Sequence, residues 1–198
     1  MNPCTVSRVM PSGRLKDPSL SRKNSHAELI RLEGIHKAYW RGSIEVPVLK
    51  GVSLSIARGE MVALMGASGS GKTTLINLLG YLDRPTRGRH YVANHDVTRL
   101  GEAERAWLRG SQIGFVFQNF NLLPRMTALE NVMMQFMYGS HDLSDRECRE
   151  RASELLERVG LGDRVEHEPS RLSGGEQQRV AIARALINRC SVDRKSVG

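Results

Sequence analysis

Two apolar patterns share this chain: short runs that predict strands, and stripes at helical spacing. Glu28 to Glu33 predicts the start of a strand. Val46 to Ile56 predicts another, with Val48, Val52, Leu54 and Ile56 at alternating positions. Met61 to Met65 is a continuous apolar run and reads as a short buried strand. Leu75, Ile76, Leu78 and Leu79 follow at helical spacing, and Gly80 is placed to stop that helix. Asp83 to Gly88 is a turn cluster, Arg89 to Val97 a strand and turn, and Glu102 to Arg109 a short polar helix. Ile113-Gly114-Phe115-Val116-Phe117 is a second continuous run and predicts another buried strand, ending at Gln118.

Residues 127–160 read as helical. Thr127 with Glu130, and Ser144 with Glu147, have capping-box spacing. Cys148, Ala152, Leu155, Leu156 and Val159 form one stripe, ended by Gly160 and Gly162. The run Val132 to Met137 is apolar on more than one face. It either packs within the helical region or faces a partner, since methionine adapts to varied shapes. A third capping box, Ser173 with Glu176, opens a helix through Val180, Ala183 and Ile187. Residues 1–27 are rich in Ser, Arg, Lys and Pro, carry no periodicity and read as a disordered extension.

The chemistry concentrates between the third strand and its helix. Gly66-Ala67-Ser68-Gly69-Ser70-Gly71-Lys72-Thr73 fits the phosphate-binding pattern G-x-x-x-x-G-K-[ST], and the strand and helix around it are the context that pattern requires. Gly66, Gly69 and Gly71 lack a Cβ, so the backbone can curl and turn its N–H groups inward. The helix adds the positive end of its dipole. Lys72 can reach the β- and γ-phosphates, the Thr73 hydroxyl can ligand Mg²⁺, and Thr74 adds a donor on the α-phosphate side. A second anion site is predicted at Gly174-Gly175, because a structural cap alone would not need two bare glycines at a helix start. Tyr39-Trp40 offers an aromatic that either stacks on a purine base or packs on a strand edge. Gln118, at the carboxyl end of a predicted strand, is a candidate to touch Mg²⁺ or water.

Composition narrows the partners. The formal charge is +8, which invites a nucleic-acid reading. Residues 1–27 hold five basic residues against one acidic, and residues 189–198 three against one, so the excess sits mostly in the ends. No nucleic-acid partner is expected. Cys4, Cys148 and Cys190 have no C-x-x-C spacing, which fits a reducing compartment. The histidines show no ligand pattern, and His90 and His95 read as surface polar residues. No apolar run is long enough to span a membrane and the start has no signal-peptide core, so a membrane role is expected to run through a partner.

Leu172-Ser173-Gly174-Gly175-Glu176-Gln177-Gln178-Arg179, placed after a phosphate-binding loop, resembles the signature of ATP-binding cassette (ABC) ATPases. The resemblance spreads over about residues 28–188. GASGSGKTTLINLLGYLD, FVFQNFNLLPRMTALENV and LSGGEQQRVAIARAL are most similar to ATPase subunits of lipoprotein-releasing and macrolide-export transporters. It implies an α/β fold: a P-loop NTPase sheet with an antiparallel β subdomain and a helical subdomain inserted near 119–165. It implies ATP and Mg²⁺ as cofactors. Tyr39 would stack on adenine and Gly66 to Thr74 would hold the phosphates. Lys72 and Gln118 would be catalytic, and Thr73 and Gln118 would ligand the metal. Ser173, Gly174, Gly175 and Glu176 would contact ATP bound to the opposite protomer. The implied partners are an integral-membrane permease and a second cassette, with the chain cytoplasmic and peripheral on the inner face of the membrane. The implied function couples ATP binding and hydrolysis to export or release of substrate at the cell envelope. The alternatives are a soluble ABC ATPase of translation or DNA repair, which would need a second cassette or a coiled-coil insert, and an inert fragment.

One departure stands out. The family continues into an apolar strand ending in Asp-Glu, then a histidine switch. Here residues 188–198 read Asn-Arg-Cys-Ser-Val-Asp-Arg-Lys-Ser-Val-Gly, with only Val192 ahead of Asp193. The expectation is a domain incomplete at its C-terminus, with residues 189–198 a non-native tail and no sustained turnover. The family topology also separates strand 61–65 from strand 113–117, so the two are expected not to pair and the isolated chain to fold only in part.

Overall fold

Alternating apolar positions over residues 28–57 build a long hairpin; the strand Arg87–Val92 pairs with it and the helix Lys72–Leu79 packs on it. The computed structural model describes residues 5–9, 15–16, 28–137 and 143–187, in two units divided between Gly101 and Glu102. The first unit contains β1 (Thr5–Val9), β2 (Leu15–Lys16), β3 (Glu28–Arg41), β4 (Ile44–Ala57), β5 (Met61–Met65), α1 (Lys72–Leu79), β6 (Arg87–Val92) and β7 (His95–Asp96). β3 and β4 pair antiparallel from Glu28↔Ala57 to Arg41↔Ile44, and β6 pairs with the other edge of β3. The sheet order is β4-β3-β6-β7, antiparallel throughout. Leu32, Ile35, Leu49 and Leu54 from the hairpin form a core with Leu75 and Leu78 of α1. Burying each such side chain contributes about 1.5–3 kcal/mol, and this contact fixes the helix that begins the phosphate-binding loop's far side.

The second unit is helical: α2 (Glu102–Gln112), α3 (Ala128–Met137), α4 (Asp145–Arg158) and α5 (Gly174–Leu186). Val132, Ala152, Leu156, Val180, Ala183 and Ile187 are fully buried where α3, α4 and α5 meet. The capping boxes of Ser144 with Glu147 and Ser173 with Glu176 both form. The methionine run turns inward: Val132 and Phe136 are buried, Met133 and Met134 are half-buried, and only Met137 stands free in solvent.

Four expectations need correction. Ile113–Phe117 is not a strand. It has no ladder partner among the described residues, and Val116 and Phe117 are exposed. Its backbone lies against α5 instead: a Cβ on Gly114 would come within 2.0 Å of the Ala185 carbonyl oxygen, so only glycine permits the approach. Met61–Met65 is a strand but is not buried at its ends, with Met61 71% exposed. Its partner is β1, antiparallel, from Thr5↔Met65 to Val9↔Met61. β1 and β2 in turn occupy part of the stretch read as disordered; the remainder of residues 1–27, the tail 189–198, Cys4 and Cys190 lie outside the described residues. Finally, His90 is buried rather than superficial, because β6 carries it between β3 and Tyr81.

Candidate functional site

β5 delivers the chain to the glycine-rich loop, and two left-handed residues turn it. Gly69 has φ 77° and Gly71 has φ 89°, a region that side-chain-bearing residues adopt at a cost. A Cβ on Gly71 would also lie 2.8 Å from Leu49 Cδ2, so the loop sits directly on β4. Lys72 folds back over the loop. Its Nζ donates to the carbonyl oxygens of Gly66 at 2.8 Å and Ala67 at 2.7 Å. Ser70 is buried, and its N–H donates to Ala67 O at 3.2 Å. α1 starts with no side-chain cap and no acidic residue in its first turn. α4 and α5, by contrast, each carry a Ser–Glu box. α1 therefore begins with first-turn N–H groups that no side chain caps, and Lys72 Nζ lies on the Gly66 and Ala67 carbonyls just ahead of them, an arrangement that can receive an anion.

Thr73 is exposed, and among the described residues its hydroxyl has no hydrogen-bond partner. Nor do three His, Cys, Asp or Glu side chains converge as a metal cluster among the described residues. The exposed Thr73 hydroxyl beside the loop is compatible with holding a Mg²⁺ ion that phosphate oxygens also ligand.

Tyr39 belongs to the same unit. It lies on β3 opposite Val46, 42% exposed, so it is at once a strand residue and an available aromatic surface. Its phenol donates to Asp83 Oδ2 at 2.8 Å. Lys37 Nζ donates to Asp83 Oδ1 at 2.6 Å and stands 4.8 Å from the Tyr39 ring centroid. Burial, then the bond to Asp83, pushes the Tyr39 pKa up, with Thr74 pulling the other way. Burial would raise Asp83, but bonds from Lys37, Tyr39 and the Arg84 N–H outweigh it and hold the carboxyl below its usual range.

Gln118 and the signature residues belong to the second unit. Gln118 does not end a strand. It lies exposed in the turn closed by Phe120 N–H donating to Phe117 O at 3.0 Å. The Ser173 hydroxyl accepts from Glu176 N–H at 3.4 Å and donates to Glu176 Oε2 at 2.7 Å, and the same oxygen accepts from Ser173 N–H at 2.7 Å. Those bonds, the Ser173 side chain first, hold the Glu176 carboxyl below its usual pKa. Glu176 is thus turned back into the cap, while a Cβ on Gly174 would meet nothing within 4 Å and one on Gly175 only Arg179 Nη1 at 4.0 Å.

Three residues matter that the pattern reading passed over. Asp83 was legible only as part of a turn, because its partner Lys37 lies 46 residues away. Arg184 reads as polar helix surface, yet its Nη1 donates to Asn121 O at 2.7 Å and its Nη2 to Phe120 O at 2.6 Å. Asn131 is fully buried; its amide accepts from Leu123 N–H at 2.8 Å and donates to Met126 O and Thr127 O at 3.0 Å each, shaping the loop that follows Gln118. A polar residue amid Val132 and Leu129 was the one available sign of it.

Comparison with known proteins meets this geometry. The ABC transporter family matches residues 49–192. The macrolide export ATP-binding/permease protein MacB of Syntrophobacter fumaroxidans is 59% identical over 165 residues, 83% of this chain and 23% of that protein. The chain therefore spans about a quarter of the macrolide-export relatives it matches. The lipoprotein-releasing system ATP-binding protein LolD of Xanthomonas campestris pv. campestris is 53% identical over 163 residues, 82% of this chain and 67% of that protein. Among solved structures, the dimeric post-hydrolysis state of the ATP-binding cassette MJ0796 bound to ADP and Pi superposes with a TM-score of 0.72 at 43% identity, covering 81% of this chain and 70% of that one. The chain belongs to the ABC transporter family and has the α/β fold of its ATP-binding cassettes.

Proposed function

We propose that this chain is the nucleotide-binding part of an ABC transporter ATPase of the exporter type. The observation that carries the proposal is the uncapped start of α1 beneath left-handed Gly69 and Gly71, with Lys72 folded across it. On ATP binding, Lys72 exchanges the Gly66 and Ala67 carbonyls for the β- and γ-phosphates, and the loop amides take the remaining oxygens. Tyr39, oriented by Asp83, offers its ring to adenine. Bound Mg²⁺ would neutralise phosphate charge, with Thr73 able to hold it, and Gln118 is proposed as the catalytic glutamine of the reaction. Gly174 and Gly175 would present their amides, with Ser173, to ATP on a second cassette.

On this reading the chain would work with a second cassette and a membrane permease, on the inner face of the membrane. Among the described residues no helix is long and apolar enough to cross a membrane.

The test compares Lys72→Ala and Ser173→Arg in the full-length protein, with ATP binding measured on the monomer and hydrolysis on the assembled transporter. Lys72→Ala should weaken binding and abolish hydrolysis. Ser173→Arg should abolish hydrolysis while leaving monomer binding intact. Wild-type hydrolysis in Lys72→Ala would remove the phosphate-loop assignment. Equal loss of monomer binding in both variants would put Ser173 in the same site as Lys72 and end the two-cassette reading.

A further inference from the structure

We infer that Arg184 is a positioning residue that locks the Gln118 turn to the signature helix α5, so that the two report to each other through one rigid element. The inference rests on the proposed role of Gln118.

The residue that closes the turn and the one after it are strained. Phe120 has φ 58° and Asn121 φ 47°, both left-handed and neither a glycine. A loop of this kind persists only when its surroundings hold it. Beside the loop's own bonds, Phe120 N–H to Phe117 O and Asn121 N–H to Asn119 O, Arg184 holds it from α5: one arm of the guanidinium donates to the Asn121 carbonyl at 2.7 Å and the other to the Phe120 carbonyl at 2.6 Å. Charged donors make the stronger hydrogen bonds, and the planar fork fixes both carbonyls at once, which a lysine cannot do. Among the described residues no carboxylate pairs with Arg184, so its charge is spent on these two oxygens. The side chain is half-buried, and that burial lowers its pKa without an acidic neighbour to oppose it.

The other flank of Gln118 meets the next residue of the same helix. Gly114 lies so close to Ala185 that a Cβ would fall 2.0 Å from the Ala185 carbonyl oxygen. Consecutive residues of α5 therefore grip the chain on both sides of Gln118. The N-terminus of that helix is the Ser173–Glu176 cap, fixed by its own capping box. Ser173 and Arg184 are separated by about 16 Å of helix at 1.5 Å per residue. Any tilt of α5 that accompanies engagement at Ser173 must move the Phe120 and Asn121 carbonyls, and Gln118 with them.

The experiment uses the full-length protein with Cys4 and Cys190 replaced by serine and a nitroxide attached at Asn119→Cys, inside the turn. Arg184→Lys keeps the charge but loses the fork. It should mobilise the label, lower kcat for ATP hydrolysis by about tenfold, and leave KM within about twofold, since the Lys72 loop is untouched. Placed on Gln118→Ala, Arg184→Lys should add no further loss, because it acts through Gln118. An unchanged label and kcat in Arg184→Lys would overturn the inference, and so would full additivity with Gln118→Ala, which marks a residue that only supports the fold. Should Arg184→Lys not accumulate as folded protein, Arg184→Gln carries the same readouts. A parent-like rate in Gln118→Ala is a different failure: it strikes the proposed role of Gln118 and the catalytic consequence drawn from it, whatever the label shows.

Discussion

Lowering the pH from 7 to 5 should loosen the first unit through a single imidazole. His90 is 4% exposed on β6, its ring stacked on Tyr81 with centroids 5.6 Å apart, and among the described residues its Nε2 has no hydrogen-bond partner. Burial pushes its pKa down from 6.5 to about 4, against a weaker opposing pull from Asp96. The unfolded chain therefore takes up a proton at this residue as pH falls through 6.5, while the folded one does not until about 4. Within that window the unfolded state binds more protons, so stability falls as pH falls, at about 1.4 kcal/mol per unit. By pH 5 the loss is about 2 kcal/mol, or roughly a thirtyfold rise in the open population. The carboxyls of Asp83, Asp96, Glu147 and Glu176 are all held low, so what they contribute is lost only at more acid pH and does not fall in this window. Hydrogen exchange of the β3 and β6 ladder amides reads the opening directly, because Leu32 and His90 are register partners. His90→Phe keeps the ring stack and removes the titration. The parent should lose protection between pH 6.5 and 5 and His90→Phe should not. An equal pH slope in both, or an imidazole titrating near its ordinary value, would refute the reasoning.

Two further outcomes follow from close contacts. Gly69→Ala meets open space and carries only the left-handed backbone penalty of about 1–2 kcal/mol, so ATP affinity should fall by about tenfold. Gly71→Ala adds the 2.8 Å contact with Leu49 and should lose more; equal losses by calorimetric titration would contradict the packing of the loop on β4. Asn131→Leu leaves the Leu123 N–H and the Met126 and Thr127 carbonyls without their buried partner and should destabilise the second unit by roughly 2–4 kcal/mol in urea unfolding. A loss under about 0.5 kcal/mol would show that water replaces the amide.

What the sequence made legible was what depends on near neighbours along the chain. The phosphate-binding loop is such a feature, since its glycines, lysine and flanking elements lie within residues 61–79. The capping boxes of Ser144 and Ser173 are another, each closed over three residues, and so is the stripe from Cys148 to Leu156 that α4 buries. A strand is different, because its identity is a ladder. Ile113–Phe117 has the apolar content of a buried strand, but with no ladder partner among the described residues that content produces an extended segment laid on α5. His90 follows the same logic: nothing in Arg-Gly-Arg-His-Tyr-Val says that Tyr81 will cover the imidazole. Gln118 joins the two cases. A run of apolar residues marks its position in the chain and, for the same reason, points to a strand end where the structure has a turn. What holds it is a guanidinium 66 residues later that reads, locally, as one more charge on the solvent face of a helix. A site residue found by motif is thus only half specified until the residue that orients it is found, and that second residue is found by contact and not by pattern.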